Sequence, residues 1–384
     1  MLIPIVAHPL GLNDLFFIGG LSSRQMQLKE ALVKYFNSKY VFLFNSGTSS
    51  FFMLLEALKM FSEKKEVIIP AYTASALVVA IKKAGLRPVL GDISLKDFNI
   101  DLNALDAVIS QNTLCIVVVH MFGITSEAGG GLKQRYPQLP LIEDCCQALG
   151  NSQVGCLGDA SFYSFNRGKN LPTYGGGCIA TNNEAVARNI AKLLENIPDA
   201  GVIYTAAVEL KLFALALAMR PFWYGLLSPV LKNLKERPTP EDFSVKRYTD
   251  YQAAVALSLL RRIKQASRLR YYNGMLIMEA LKDIDSLILP NISVDSTPAF
   301  NRLPIVFKDL KKLEKVERSL RQIGIETSRM YYMPLHHLFD LGYKKDDFPN
   351  ACYFAQHLLT VPVHPLVTEK DLGKIIEVIK KAVK

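Results

Sequence analysis

The sequence predicts an α/β protein: a mostly parallel sheet flanked by helices in a large domain, completed by a smaller α+β domain at the C-terminus. Three features lead there. Between residues 40 and 181, short apolar runs such as YVFLF, EVIIP and LCIVVV alternate with stretches of helical periodicity, the signature of right-handed crossovers and a sheet covered on both faces. A long helical pattern near 249–281 then separates this block from about a hundred residues reading strand, helix, strand, loop and helices. Finally, 384 residues suffice for two domains with sizeable cores, here 1–248 and 249–384.

The elements follow in order. Residues 1–25 read as an arm leading into a helix near 24–36. Strand 40–44 ends at Ser46-Gly47-Thr48, and an apolar-periodic helix near 49–60 begins at once. Strand 66–70, helix 73–84, strand 87–91 and strand 114–119 come next; helix 126–136 is weakened by three glycines. Strand 139–143 ends at Asp144, strands 160–165 and 177–181 close the block, and 184–200 is helical. An apolar insertion at about 205–240 includes the unusual 208–231 stretch and a Pro-rich polar linker. Beyond the long helix, a further helix is expected at 309–323. There is no internal repeat.

Half the residues are hydrophobic and 21% charged, which excludes a disordered chain. The net charge of +10 favours anionic partners, but Lys and Arg are scattered. The clusters Lys232–Arg237 and Lys380–Lys384 are short and no nucleic-acid module is present. A phosphorylated substrate or an acidic membrane surface accounts for the charge instead. None of the six cysteines has metal-ligand spacing, so no metal is expected, and a reducing cytoplasm fits. MLIPIVAHPLG lacks the features of a signal peptide.

Three places carry chemistry, each at a strand end on the carboxyl side of the sheet, where open α/β sheets bind ligands. Ser46-Gly47-Thr48-Ser49 opens a helix whose free N–H groups and dipole would cradle a phosphate, though a serine there also serves as a plain N-cap. Asp144 follows an apolar strand in LIEDCCQALG as an acid or a cap, with Glu143 pointing to the opposite face. Lys169 lies in SFYSFNRGKN between two apolar strands, five residues after Ser164; alone it reads as solvated charge. Together they offer an amine to bond an aldehyde, an acid to face a ring nitrogen and donors for a phosphate, as pyridoxal phosphate (PLP) requires.

The order and spacing resemble the DegT/StrS family of PLP-dependent sugar aminotransferases, of the aspartate-aminotransferase fold type I. The matching segments are Ser46-Gly47-Thr48, Pro70-Ala71-Tyr72-Thr73, Glu143-Asp144-Cys145-Cys146-Gln147-Ala148-Leu149-Gly150 and Ser164-Phe165-Asn166-Arg167-Gly168-Lys169-Asn170. His120-Met121-Phe122-Gly123, Tyr251-Gln252-Ala253-Ala254 and Pro362-Val363-His364-Pro365 add to it. The resemblance implies that Lys169 holds PLP as a Schiff base, Asp144 pairs with the pyridine nitrogen and Gln147 reaches the phenolic oxygen. Gly47, Thr48, Ser49 and Ser164 would hold the phosphate. Family members that dehydrate sugars carry histidine in place of the lysine, so Lys169 implies transamination in a homodimer. Glutamate would be the donor and a nucleotide-linked keto or aldehyde sugar the acceptor, in glycan or cell-surface polysaccharide synthesis. The family's ring-stacking aromatic is replaced by Ala74, which leaves Tyr72 as the stacking candidate. Tyr174-Gly175 departs from the usual turn, and Val245 replaces an asparagine two residues before Arg247. His336 and Tyr331, beside His337 and Tyr332, lie in a loop that could cover the sugar; structural roles suit the histidines equally.

The 208–231 stretch admits two readings. It is a hairpin buried against the domain or a partner subunit, or an interfacial element with Phe222, Trp223 and Tyr224 at the headgroup boundary. Its uninterrupted uncharged run, Leu212 to Met219, is too short to span a bilayer and is broken by Arg220-Pro221, so the protein is expected in the cytoplasm or peripherally on the inner face of the membrane. Two further alternatives are an aminotransferase for a lipid-linked or long-chain carbonyl and a degenerate PLP-binding regulator.

Overall fold

The computed structural model describes residues 2–7, 10–16, 23–218, 242–293 and 295–383. The first block contains α1 (Arg24–Phe36), β1 (Tyr40–Phe44), α2 (Gly47–Lys59), β2 (Glu66–Pro70), α3 (Ala76–Lys83), β3 (Arg87–Gly91), the single turn α4 (Leu102–Leu105), β4 (Thr113–Val119), α5 (Ala128–Arg135), β5 (Leu141–Asp144), β6 (Ala160–Ser164), β7 (Gly177–Thr181), α6 (Glu184–Glu195) and α7 (Val202–Ala218). The remainder contains α8 (Asp250–Leu260), α9 (Ile263–Leu281), β8 (Leu287–Ile288), β9 (Leu303–Phe307), α10 (Leu310–Gln322), α11 (Leu335–Leu338), α12 (Pro349–His357), β10 (Leu358–Val361) and α13 (Glu369–Val383).

Strands β1 to β7 form one sheet in the order β1-β7-β6-β5-β4-β2-β3. Pairing is parallel from β3 through β2, β4 and β5 to β6, and only β7 runs antiparallel to its neighbours. The sheet is therefore mostly parallel, as the alternating pattern predicts. Its strands are buried nearly throughout, because helices cover both faces. Register places Val119 opposite Asp144 and Asp144 opposite Phe162, so the ends of β4, β5 and β6 lie side by side. A three-stranded antiparallel sheet, β10-β9-β8, carries α10 and α12, and α13 packs on α10 and α9.

Two helices differ from the sequence reading. The one expected over 73–84 begins only at Ala76, because tertiary hydrogen bonds hold the preceding segment: Ala71 N–H donates to Gly91 and Ala71 C=O accepts from Leu335 N–H. The long helix of 249–281 is two helices. A capping box of Thr249 and Gln252 opens α8, and the chain leaves helical geometry at Arg262, whose φ is −108° and ψ 0°. Arg262 and Ser258 both reach the buried Asp14 carboxylate at 2.6 Å, which fastens the N-terminal arm across the break. Of the apolar insertion, residues 202–218 form α7, whereas 219–241, including Phe222, Trp223 and Tyr224, lie outside the described residues. Among the described residues no helix is long and apolar enough to cross a membrane.

Candidate active site

The anion cradle starts at the sharp exit from β1. Ser46 is extended at φ −161° and ψ 161°, and its Oγ accepts from Ser49 N–H at 3.0 Å and meets Ser49 Oγ at 2.8 Å. Ser46 is thus a true N-cap, and Thr48, one residue into the helix, stays partly open. The end of β6 comes against this helix start: a methyl group on Gly47 would stand 2.8 Å from Ser164 Cβ and 3.2 Å from its Oγ. Glycine is needed at this position for the close approach. The outcome is a helix N-terminus with hydroxyls from Thr48, Ser49 and Ser164 around it.

Asp144 ends β5, 5% exposed, and its Oδ1 accepts from Cys146 N–H at 2.9 Å. Burial pushes its carboxyl above the usual range, against the pull of Cys146 N–H, Lys169 and His120. Lys169 closes a turn after β6, its N–H donating to Asn166 C=O at 3.1 Å across Gly168, whose φ of +83° suits glycine. Asn170 fixes that turn by donating to Leu149 C=O at 2.8 Å, and Asn301 donates to Gly168 C=O at 2.7 Å. Lys169 is partly buried and makes no salt bridge among the described residues. A cation without an ion pair beside a buried acid is an unspent amine.

Gln147 is buried; its Oε1 accepts from Phe122 N–H at 3.2 Å and its Nε2 meets only the weakly accepting Met121 sulfur at 3.1 Å. Tyr331 belongs to the same group, since Asp144 and Cys146 are among the charges acting on its hydroxyl. Tyr72 is wholly buried, edge-on to Phe354 at 4.8 Å, and its hydroxyl accepts from Tyr331 N–H at 3.2 Å. It supports Tyr331 from below. His336 stands apart: its described partners are Lys345 C=O, Cys352 and the rings of His337 and Phe348.

Four residues with no part in the site on sequence grounds also belong to it. Thr73 Oγ1 is buried without a partner among the described residues. Arg302, just before β9, interacts electrostatically with Tyr331 and Tyr72 and, among the described residues, has one hydrogen bond, Nε to Asn301 Oδ1 at 3.3 Å. Behind Asp144, Glu143 and His120 form a fully buried pair at 2.9 Å. Ser126 N–H donates to His120 Nδ1 at 3.1 Å, so the ring proton sits on Nε2 and points at Glu143. Glu143 also accepts from Gly155, Leu157 and Gly158 N–H at 2.7, 2.8 and 2.8 Å.

Burial raises the Glu143 carboxyl, but His120 and the loop N–H groups outweigh it and the carboxyl ends below its usual range. Its contribution to stability is therefore present above the unfolded value of about 4.3 and is lost as pH falls through the lower folded one. Glu143→Gln should cost about 1–3 kcal/mol, as expected when buried N–H donors lose an acceptor, and should flatten the acid limb of stability against pH. Urea unfolding at several pH values measures both.

A model of the DegT/DnrJ/EryC1/StrS aminotransferase family matches residues 18–219 and 231–380. The chain belongs to that family. It is a PLP-dependent aminotransferase with the fold of type I enzymes. The spore coat polysaccharide biosynthesis protein SpsC of Bacillus subtilis is 26% identical, over 93% of this chain and 89% of its own. GDP-perosamine synthase of Caulobacter vibrioides is 25% identical, over 94% and 91%. Among solved structures, Helicobacter pylori PseC, an aminotransferase involved in the biosynthesis of pseudoaminic acid, superposes with a TM-score of 0.77 at 21% identity, covering 100% of this chain and 99% of that one.

The residues present fit the family's cofactor. The orphaned Thr73 Oγ1, the lysine without an ion pair, the weakly engaged Gln147 amide and the Gly47–Ser164 approach are polar groups awaiting a phosphorylated, polar ring. The aminotransferase has no aromatic residue after Thr73, and the enclosed Tyr72 does not take that place. Arg247 turns its guanidinium onto the carbonyls of Leu194 and Ile197 at 3.2 and 3.1 Å, at the end of α6.

Proposed function

We propose that this aminotransferase moves the amino group of glutamate to a keto or aldehyde sugar, carried on a nucleotide, in the synthesis of a cell-surface glycan. The observation that carries the reading is the grouping of Lys169, Asp144 and the Ser164–Gly47 cradle at one edge of the parallel sheet. The sugar-directed names of the relatives supply the substrate class. When bound, the cofactor supplies an aldehyde and a ring that withdraws electrons. In this reading Lys169 Nζ would hold that aldehyde and would serve as the base and acid for a proton at the substrate carbon. The Asp144 carboxylate would face the ring nitrogen, and the Gln147 amide would face the phenolic oxygen. Thr48, Ser49 and Ser164 anchor the phosphate at the positive end of α2. Arg302, which acts on Tyr331 and Tyr72, would suit an anionic donor or sugar carrier as a nearby cation. Glutamate added to the PLP-loaded enzyme, without acceptor, should release one equivalent of 2-oxoglutarate per site. Release of none would refute glutamate as donor.

We infer a homodimer in the cytoplasm, and one observation favours a membrane-facing role beside it. Helix α7 buries Val208, Leu212 and Ala216 yet exposes Leu210, Phe213 and Leu217, so it is apolar on both faces. With one apolar face packed on the domain, the exposed one is open to a bilayer surface or a partner subunit. The wild type should sediment with anionic vesicles, and Leu210, Phe213 and Leu217 changed together to serine should abolish this with an unchanged melting temperature. No sedimentation by the wild type would assign that face to the partner subunit.

A further inference from the structure

A second cluster of chemically capable groups lies apart from Asp144 and Lys169. His336 and His337 sit on α11, and Cys352 on the first turns of α12; the intervening chain returns so that both Nε2 atoms and the thiol Sγ lie within 4.8 Å of one another. Cys352 Sγ is 3.8 Å from His336 Nε2 and 3.9 Å from His337 Nε2. In a tetrahedral zinc site, with Zn–S about 2.3 Å and Zn–N about 2.0–2.1 Å, that separation is about 3.6 Å. The cluster is within a few tenths of an ångström of it.

Two further observations point to a cation. The same three atoms converge on one oxygen, Lys345 C=O, at 3.3, 2.8 and 3.6 Å. The thiol also lies 3.5 Å from Asp347 C=O, so two imidazoles and a thiol meet two backbone carbonyls in one small space, and a cation at the centre would turn the three side chains and Lys345 C=O into ligands. The surrounding charge is also negative: Asp92 and Asp347 act on His336, and Asp92, Asp346 and Asp347 act on Cys352.

We propose that His336, His337 and Cys352 bind one zinc ion, with Lys345 C=O or a water as the fourth ligand. Binding exchanges the Cys352 thiol proton to solvent for an Sγ–Zn bond, and the histidines bind as neutral imidazoles. Imidazole and thiolate together suit zinc better than magnesium or calcium, which prefer oxygen. Ligation leaves the His336 ring proton on Nδ1, a buried atom without a partner among the described residues, so the site is weaker than one with a full outer shell. The ion would tie α11 to α12. Because Leu335 N–H donates to Ala71 C=O at 2.8 Å, it would brace the Pro70–Thr73 segment at the edge of the catalytic group without entering the reaction.

The test uses untagged, PLP-loaded enzyme titrated with Co²⁺ as the spectroscopic stand-in for zinc. One equivalent should give the intense long-wavelength d–d bands of a tetrahedral cobalt site, and Zn²⁺ should abolish them. Cys352→Ser should weaken binding at least tenfold, and so should His337→Ala, whose side chain is exposed and whose loss threatens the fold least. Unchanged circular dichroism in both variants separates lost ligation from lost structure. Absence of the bands in the wild type, or equal affinity in the wild type and both variants, would overturn the site.

Discussion

Lys169→Ala is expected to abolish turnover while leaving the fold intact. The side chain ends a turn held by backbone and asparagine hydrogen bonds to which its amine contributes nothing. It makes no salt bridge among the described residues, and the buried acid it acts on, Asp144, keeps its hydrogen bond from Cys146 N–H and can take up a proton when the amine is removed. Stability should change by less than about 0.5 kcal/mol, as for a surface substitution. Activity loses both the amine that bonds the cofactor and the group that moves the proton. The second effect alone is worth about 10²–10⁴-fold, so kcat should fall by at least about 10⁴-fold. PLP should remain bound through its phosphate, because the cradle at Gly47, Thr48, Ser49 and Ser164 is untouched. Steady-state kinetics and a thermal melt on one preparation check the split. A variant with a tenth of the wild-type rate would place the reacting amine elsewhere.

Asp144→Asn should separate activity from stability in a different way. Asparagine is nearly isosteric, and its carbonyl oxygen can still accept from Cys146 N–H at the 2.9 Å position, so the local turn survives. Without cofactor, burial raises the carboxyl in the folded chain, and its contribution is present at low pH and lost as pH rises through the raised folded value. The neutral amide escapes that loss, and the cofactor-free variant should be as stable as the wild type at pH 7, or more so. The loaded enzyme loses the anion facing the ring nitrogen, and kcat should fall about 10²–10³-fold, the cost of removing one preorganised electrostatic partner. Near-normal kcat with reduced stability would make Asp144 a cap.

The parts of this account legible in the sequence are those fixed by local pattern. β4 holds a six-residue apolar run, LCIVVV, and such a run among helices reads as a buried parallel strand. Ser46 and Asp144 stand where a strand ends, and Lys169 between two strands, so topology brings them to one edge. What escaped depends on partners distant in the chain. The apolar face continues from α8 into α9, and only the pull of Asp14, 248 residues away, marks the break at Arg262. Tyr72 was expected to stack on the cofactor, but the order of residues says nothing about Phe354 closing over its ring. His336, expected over the sugar, meets Cys352 because the chain returns after sixteen residues, a spacing outside the common metal motifs. Arg302 and Thr73 look like ordinary polar residues at strand ends until their neighbours show how little they are bonded. Helix α7 is apolar on both faces, and periodicity cannot say which face finds a partner when both look alike.

The central claim is that one lysine, Lys169, holds the cofactor. Borohydride reduction of the PLP-loaded enzyme fixes the lysine–cofactor bond permanently, and peptide mapping then reads where it is. The account predicts a single modified peptide spanning Ser164–Asn170, carrying the label on Lys169, and none in Lys169→Ala. A label on any other lysine of the native enzyme, or an unlabelled chain, would contradict it.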